Sequence, residues 1–187
     1  TYLGESTEKP WRSEMVIAFD IETLGLDAFQ NQIVLIGMKL KGKTKQWRLW
    51  KEKDELSMIL KCLETIERIP LSETIIGYNN LKFDVPFITT RLSVHGKWSS
   101  NLWQLLYRDR KWFDLYQFLG NDFRKMSFWL NKLRIKRKYE DIMGRDIPIF
   151  YAKKKYESIV RHNKDDLETS EKLYIKLQEE FPSLLPI

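Results

Sequence analysis

Short apolar runs and longer segments of helical periodicity alternate along the chain. The segments 15–22, 32–40 and 44–50 are rich in β-branched and aromatic residues, which predicts three consecutive strands. The connection Lys41-Gly42-Lys43 is short enough for a hairpin between the second and third strands. These successive strands predict an antiparallel meander at the start of the fold.

Helices and shorter strands follow the meander. Four segments are predicted to be helical, namely 52–69, 84–95, 127–133 and 154–180. Residues 74–78 predict a fourth strand, 96–111 an irregular segment, and 112–119 either a strand or a helix. Strands followed by alternating helix and strand predict an α/β protein with a mixed sheet flanked by helices. This order of elements resembles the RNase H-like fold.

The composition is that of a folded chain with one core. Its 187 residues are 43% hydrophobic, and no linker or repeat divides them, so we expect a single domain over 1–187 with a polar leader at 1–14. The chain has neither a run of about 18 apolar residues nor a signal-peptide pattern, so we expect no membrane and a cytoplasmic location. Cys62 is the single cysteine, cannot form an internal disulfide, and fits a buried helical position.

The charge balance gives a modest indication of the kind of partner the protein binds. Lys and Arg outnumber Asp and Glu by 32 to 26, and a formal charge of +6 favours a polyanionic partner such as nucleic acid. Candidate phosphate-binding residues form two basic runs: Lys132, Arg134, Lys136, Arg137 and Lys138, and then Lys153, Lys154 and Lys155. Most such runs are only solvated surface, and on their own they favour that explanation over nucleic-acid binding.

The acidic residues carry the chemical signal through their context. Three acid-x-acid pairs occur, about as many as chance gives: Asp20/Glu22, Glu52/Asp54 and Asp166/Glu168. The pair Asp20/Glu22 ends a buried strand, where alternation places both carboxylates on one face. Like charges at a buried edge need a compensating cation, for which a divalent metal is the natural choice. A strand that simply emerges into solvent at Asp20 is the alternative.

Two later carboxylates are further candidates. Asp84 opens a predicted helix, and on its own helix N-capping is the simpler explanation for it. On the last helix, Asp165 falls among charged residues, whereas Asp166 falls on the apolar face that meets the sheet. His162 lies one turn before Asp166, and an isolated histidine there is more often structural than catalytic.

Three ordered motifs resemble those of the DEDD 3′→5′ exonuclease superfamily, which includes polymerase proofreading domains. They are FDIETLG at 19–25, GYNNLKFD at 77–84 and HNKDDLET at 162–169. The resemblance implies that Asp20, Glu22, Asp84 and Asp166 ligate two Mg²⁺ or Mn²⁺ ions. Two such ions can activate a water molecule and stabilise the departing oxygen of a phosphodiester.

The same resemblance assigns residues around the metal site. Thr23 and Leu24 are expected to line the site for the terminal nucleotide, with Leu24 wedged against its base. Asn79 is expected to help hold the strand, with Phe83 packed nearby. The family's third motif carries Tyr four residues before its Asp or His five residues before it. Here His162 stands four residues before the Asp, and it is expected to be the general base.

The function implied is a metal-dependent 3′→5′ exonuclease that hydrolyses DNA or RNA by a two-metal mechanism. The expected partner is a single-stranded 3′ end, and no feature of the sequence indicates a protein partner. Two alternatives stay open. The first alternative is a proofreading fragment of a family B DNA polymerase. The second is a catalytically silent nucleic-acid-binding module.

Overall fold

The fold is built on a five-stranded mixed sheet with helices on both faces. A computed structural model of the protein describes residues 16–120, 124–139 and 142–182, so the predicted polar leader lies outside the described residues. The strands are β1 (Val16–Thr23), β2 (Ile33–Leu40), β3 (Lys43–Arg48), β4 (Thr74–Gly77) and β5 (Lys111–Asp114). They lie in the order β3-β2-β1-β4-β5. The pairs β1/β2 and β2/β3 are antiparallel, whereas β1/β4 and β4/β5 are parallel. The predicted α/β fold is confirmed.

The helices cover this sheet. They are α1 (Glu55–Glu67), α2 (Asp84–Val94), α3 (Ser100–Trp103), α4 (Leu115–Phe118), α5 (Met126–Lys132), α6 (Ile147–Ala152) and α7 (Tyr156–Glu180). Short 3-10 turns at Leu49–Lys51 and Gly144–Asp146 and a π-helical turn at Gln104–Arg108 complete the described elements. Within the described ranges, the helices are all too short or too polar to cross a bilayer.

Several predicted boundaries change. The segment 96–111, predicted to be irregular, contains α3 and the π-helical turn. Residues 112–119, predicted to be either a strand or a helix, contain one of each, since β5 ends at Asp114 and α4 begins at Leu115. Helix α1 begins at Glu55 rather than at residue 52, because the side chain of Asp54 accepts a hydrogen bond from the backbone N–H of Ser57 and caps it.

The alternation of side chains along β1 divides the core into two layers. Ile17, Phe19 and Ile21 pack on one face against α1 and α2, where the predicted buried thiol of Cys62 also lies. Ala18 packs on the other face, in a cluster with apolar residues of α7 such as Leu167. The even-numbered residues of β1 therefore face α7, and the acidic pair at its end belongs to that layer.

Candidate active site

Asp20 and Glu22 lie at the end of β1 on the face that meets α7. Glu22 is only 5% exposed and Asp20 is half-buried. A strand that emerges into solvent at Asp20 is therefore the wrong interpretation. The pairing of β1 with β2 shifts register between Glu22 and Thr23, so the strand ends immediately beyond the two carboxylates.

Asp84 is the first residue of α2 and reaches back to β1. Its Oδ1 accepts a hydrogen bond from the backbone N–H of Ile21 over 2.9 Å, and the residue is 4% exposed. The N-cap of α2 is Phe83, which makes no side-chain capping hydrogen bond. When Asp84 was considered on its own, helix capping was the simpler explanation for it. That explanation is therefore wrong. The carboxylate lies close enough to Asp20 to raise the pKa of that residue by repulsion.

His162 and Asp166 lie one turn apart on α7 and face the end of β1. Nε2 of His162 is 3.5 Å from Oδ2 of Asp166 and 4.0 Å from Oε1 of Glu22. One candidate ligand atom from each of Glu22, His162 and Asp166 lies within 4.8 Å of the other two. Residues far apart in the sequence thus meet at one edge of the sheet.

Asp165 departs from the expectation drawn from the helical pattern. It was expected on an all-charged face of the helix, yet it is 3% exposed. Its Oδ2 accepts a hydrogen bond from Nε of Arg137 over 2.9 Å, and its Oδ1 accepts one from the backbone N–H of Lys138 over 3.0 Å. The segment after α5 covers this side of α7, and a helical periodicity cannot reveal a cover that comes from outside the helix.

Arg137 also reaches the acidic cluster itself. Its Nη2 forms an ion pair with Oδ1 of Asp166. The remaining members of the two basic runs are exposed, as expected for phosphate-binding candidates and for ordinary surface residues alike: Lys132, Arg134, Lys136, Lys138, Lys153, Lys154 and Lys155. Arg137 alone in its run is turned towards the carboxylates.

Asn163 is a site residue that the sequence reasoning missed. Its Nδ2 donates a hydrogen bond to Oδ2 of Asp20 over 2.7 Å, and its Oδ1 accepts one from Nε2 of Gln46 over 2.9 Å. Asn163 stands inside the third motif, next to His162, and is fully buried. A second signal was Gly37, a glycine inside the apolar strand β2, because glycine in a strand often marks a close approach by another group.

The acidic cluster is short of positive charge. Burial raises the pKa of Asp20 and of Glu22 well above the usual carboxyl range, and repulsion from neighbouring carboxylates adds to this effect. Burial also raises the pKa of Asp84 to about 7 and raises that of Asp166. Arg137 acts in the opposite direction on Asp20, Glu22 and Asp166, but one guanidinium does not balance four carboxylates.

Two buried polar atoms of the cluster lack hydrogen-bond partners among the described residues. They are Oε1 of Glu22 and Nδ1 of His162. Burial lowers the pKa of His162, although the neighbouring Asp166 opposes this, so the imidazole is neutral near pH 7. The site therefore offers one carboxylate oxygen without a hydrogen-bond partner and a neutral proton acceptor in the same place.

The residues expected to bind the substrate surround this cluster with different degrees of exposure. Thr23 donates from its hydroxyl to the carbonyl oxygen of Gly25 over 2.7 Å. Leu24 is half-buried against a cluster that includes Ile159. In the same loop, Leu26 is 87% exposed, and the family motif gave no reason to single it out.

Asn79 and Phe83 frame the turn that leads into α2. Asn79 adopts a left-handed backbone conformation with φ of 67°, which Asn tolerates better than most residues. Its backbone N–H donates to Oδ1 of Asp114 over 2.8 Å, and its carbonyl oxygen accepts from the N–H of Phe83 over 2.9 Å. The ring of Phe83 packs against that of Phe87, with centroids 5.4 Å apart. This turn places Asp84 at the site.

Comparisons with known proteins place the chain in a family. A model for the RNase_H superfamily (RNase_H_2) matches residues 17–178. The chain belongs to this family. It also resembles the family B DNA polymerase from the hyperthermophilic archaeon Pyrobaculum calidifontis, with a TM-score of 0.71, 19% identity, and coverage of 90% of this chain and 24% of that chain. At this identity the likeness shows the fold alone. None of the curated proteins matches the chain.

Membership of the RNase H superfamily supports a nuclease that binds nucleic acid, and nucleases of this superfamily generally use divalent metal ions. The donor set fits that expectation. Buried carboxylates are hard oxygen ligands of the kind that Mg²⁺ and Mn²⁺ prefer, and Oε1 of Glu22 has no other partner among the described residues. The ligand atoms of Glu22, His162 and Asp166 lie within 4.8 Å of one another and form the centre of the candidate site. Asp20 and Asp84, which were also expected to be metal ligands, fall outside that group, although their charges act on Glu22.

Proposed function

We propose that this RNase H superfamily chain is a metal-dependent exonuclease that removes nucleotides from the 3′ end of a nucleic-acid strand. One observation carries the proposal. Ligand atoms of Glu22, His162 and Asp166 lie within 4.8 Å of one another, and Asp20 and Asp84 are held beside them by hydrogen bonds to Asn163 and to the backbone of Ile21. Burial raises the pKa of all four carboxylates. A purely structural role gives a protein no reason to accept this cost, whereas cation binding offsets it.

In this proposal the carboxylates are metal ligands. Asp20, Glu22, Asp84 and Asp166 would hold two Mg²⁺ or Mn²⁺ ions, which accept oxygen ligands readily. When bound, such ions supply Lewis acidity and positive charge at the scissile phosphate. Asn163 keeps the carboxylate of Asp20 in one orientation through the hydrogen bond of 2.7 Å.

Hydrolysis then requires a proton acceptor and a defined leaving group. The oxygen of water adds to phosphorus, and the bond to the 3′ oxygen of the preceding nucleotide breaks. That oxygen leaves with the bonding electron pair and takes a proton from solvent to become the new 3′ hydroxyl. The products are a nucleoside 5′-monophosphate and a strand shortened by one nucleotide. The neutral His162, with Nε2 turned towards Asp166 and Glu22, accepts the proton that the water loses. General base catalysis of this kind typically contributes about 10²–10⁴-fold.

The strand approaches from the side of the loop after β1. Thr23 and Leu24 line the position of the terminal nucleotide, and Asn79 and Phe83 border it from the turn before α2. The exposed lysines and arginines of the runs 132–138 and 153–155 add affinity for phosphates without reading the base. The proposed substrate is therefore a single-stranded 3′ end of DNA or RNA.

Digestion of 5′-labelled single strands of DNA and RNA with Mn²⁺ tests this proposal. We expect a ladder of products that shorten one nucleotide at a time, and complete inhibition by EDTA. The substitutions Asp20→Ala and Asp166→Ala should each lower the rate by at least about 100-fold, because charge stabilisation by the ions amounts to several kcal/mol. Glu179→Gln, an exposed position near the end of the same helix as Asp166, should leave the rate unchanged.

The choice of label decides the polarity. With a 5′ label, a 3′→5′ exonuclease gives a ladder of long products before short ones, whereas a 5′→3′ enzyme releases the labelled mononucleotide at once. Activity that persists in both aspartate variants would reject the metal site. Cleavage of a circular single strand would reject an exonuclease in favour of an endonuclease.

The likeness to the family B polymerase is compatible with a second function, which is proofreading during DNA synthesis. The chain spans about a quarter of that polymerase, so a proofreading role inside a larger protein is compatible with the same site. A proofreading activity predicts faster removal of a mismatched than of a matched 3′ nucleotide from a primer on a template. A silent nucleic-acid-binding module predicts strand binding without any product in the presence of Mn²⁺.

A further inference from the structure

Arg137 differs from the other basic residues of the segment that follows α5. Its side chain is 16% exposed, whereas that of the adjacent Lys138 is 66% exposed. The segment is not helical at this point, and it lies across the side of α7 that carries Asp165 and Asp166. A guanidinium is therefore directed into the acidic cluster from outside the motifs that define it.

The guanidinium makes two contacts that differ in kind. Nε donates to Oδ2 of Asp165 over 2.9 Å, and the neighbouring backbone N–H of Lys138 donates to the other oxygen of the same carboxylate over 3.0 Å. Asp165 thus anchors both the side chain and the backbone of the segment. Nη2 alone extends to Oδ1 of Asp166. Breaking the second contact leaves the first intact.

The second contact involves a carboxylate that the proposed function needs. Arg137 contacts Oδ1 of Asp166, whereas Oδ2 is the oxygen that lies 3.5 Å from Nε2 of His162. A divalent ion held at Oδ2 and the guanidinium at Oδ1 would be two cations on one carboxylate, so they would repel each other and compete for its single negative charge. The side chain of Asp165 in contrast bonds to Arg137 and to the backbone of Lys138, and it makes no hydrogen bond or ion pair with β1 among the described residues. The two adjacent aspartates therefore have separate tasks, one as an anchor and one as a ligand.

We propose that Arg137 is an internal cation that pairs with Asp166 in the metal-free protein and passes to a backbone phosphate of the strand when divalent ions bind. The inference rests on the proposed function, since it assumes that Asp166 holds an ion. Asp165 keeps the released guanidinium at the edge of the site, where a phosphate accepts its N–H groups in the fork geometry that arginine favours. Ion binding and strand binding are then coupled, each favouring the other.

Metal binding without nucleic acid tests the competition. The free Mn²⁺ signal in electron paramagnetic resonance gives the dissociation constant for the full chain and for Arg137→Ala, Arg137→Gln and Lys136→Ala. Removal of the competing charge should tighten Mn²⁺ binding by on the order of tenfold in both Arg137 variants. Lys136→Ala removes an exposed charge from the neighbouring position and should leave the constant nearly unchanged. Arg137→Gln keeps a hydrogen-bond donor for Asp165 in case the alanine variant unfolds.

Strand binding tests the transfer. Fluorescence anisotropy with a single strand carrying phosphorothioate linkages gives its affinity in EDTA and in Ca²⁺. Arg137→Gln should weaken binding by on the order of tenfold in Ca²⁺, as expected for the loss of one charge-assisted contact, and should have no effect in EDTA. An equal loss under both conditions would show that the guanidinium contacts phosphate regardless of the ions, and would overturn the transfer.

Asp166→Ala separates this inference from the proposed function. If Asp166→Ala binds Mn²⁺ as tightly as the unchanged chain does, the metal site is wrong and the proposed function falls with it. If Asp166→Ala loses Mn²⁺ while the Arg137 variants bind it no more tightly than Lys136→Ala does, the metal site stands. In that case the role of Arg137 as a competing cation is rejected.

Discussion

Nδ2 of Asn163 donates a hydrogen bond to Oδ2 of Asp20 over 2.7 Å and connects the middle of α7 to the first acidic residue of β1. The amide is held in turn by Gln46 of β3, whose Nε2 lies 2.9 Å from its Oδ1. The approach is close because Gly37, which pairs with Asp20 across the sheet, has no side chain. A Cβ at Gly37 would lie 1.9 Å from Oδ1 of Asn163.

Gly37→Ala should therefore displace Asn163 and leave Asp20 without its partner. We expect a loss of about 1–3 kcal/mol in the free energy of unfolding, which is the usual cost of overpacking. Mn²⁺ affinity should fall as well, because Asp20 loses its fixed orientation. Urea unfolding and a Mn²⁺ titration measure the two effects. Gly144→Ala is the matched control, since a Cβ there meets nothing within 4 Å. Equal behaviour of the two variants would contradict the prediction.

The raised pKa of Asp84 predicts how stability depends on pH. Burial raises this pKa from an ordinary value of 3.8 to about 7, so the folded state binds its proton more tightly than the unfolded state does. The contribution to stability is fully present below about pH 4 and is lost as the pH rises through 7. In EDTA, the free energy of unfolding should therefore decrease over that range.

Asp84→Asn should remove this dependence while keeping the oxygen that accepts from Ile21. At pH 8 in EDTA we expect this variant to be more stable than the unchanged chain by about 1–4 kcal/mol, at 1.36 kcal/mol per pKa unit. At pH 4 the two should be alike. Thermal unfolding across pH 4–8 measures the difference, and a constant difference at every pH would show that ionisation of Asp84 is not its cause.

The lowered pKa of His162 gives a prediction for turnover. Because burial keeps the imidazole neutral, kcat should be flat above pH 7 and should fall only at acid pH. His162→Ala should lower kcat by about 10²–10⁴-fold with little change in Mn²⁺ affinity. His95, the other histidine, bonds to Glu55 over 2.9 Å, and His95→Ala should keep turnover close to normal. Loss of Mn²⁺ binding in His162→Ala would instead make His162 a ligand.

The sequence predicted the sheet because its strands are set by local apolar patterns. The sequence also indicated Asp166 rather than Asp165 as the inward carboxylate, because Asp166 falls on the apolar face of the last helix. This reason holds only in part, since both side chains are largely shielded from solvent. The cover over Asp165 comes from Arg137, 28 residues away, and no periodicity within α7 contains that information. Asn163 was missed for the same reason, because its partners lie on β1 and β3.

Exposure distinguishes the two leucines of the loop after β1. Leu24 is half-buried in the cluster with Ile159, whereas Leu26 is 87% exposed and free to contact a base. We therefore expect Leu26→Ala to raise the KM for a single strand by on the order of tenfold, as the loss of apolar side-chain surface buried against a base would. Leu24→Ala should raise the KM as well, and because Leu24 also packs in that cluster it should lower the melting temperature. Steady-state kinetics and thermal unfolding separate the two effects, and a rise in KM confined to Leu24→Ala would reject the role of Leu26.

The buried residues Glu55 and Arg91 stabilise the loop after β1. Their side chains form a bidentate ion pair at 2.7–3.1 Å, and both residues are at most 6% exposed. Nη1 of Arg91 also donates to the carbonyl oxygens of Ala28 and Phe29 over 3.1 and 3.3 Å, which holds the loop that carries Leu26.

Arg91→Ala takes the guanidinium away from the buried Glu55, which keeps its hydrogen bonds with the backbone N–H of Ile33 and with His95. The free energy of unfolding should therefore fall by about 3 kcal/mol, the lower end of the usual range for a broken buried ion pair. The double variant Glu55→Gln with Arg91→Met removes both charges and should recover much of that stability. It cannot restore the two hydrogen bonds to the loop, so its KM for a single strand should stay raised while its kcat remains close to normal. Denaturant unfolding and steady-state kinetics on the same preparations measure both quantities. A double variant with normal KM would show that the ion pair stabilises the fold without positioning the loop.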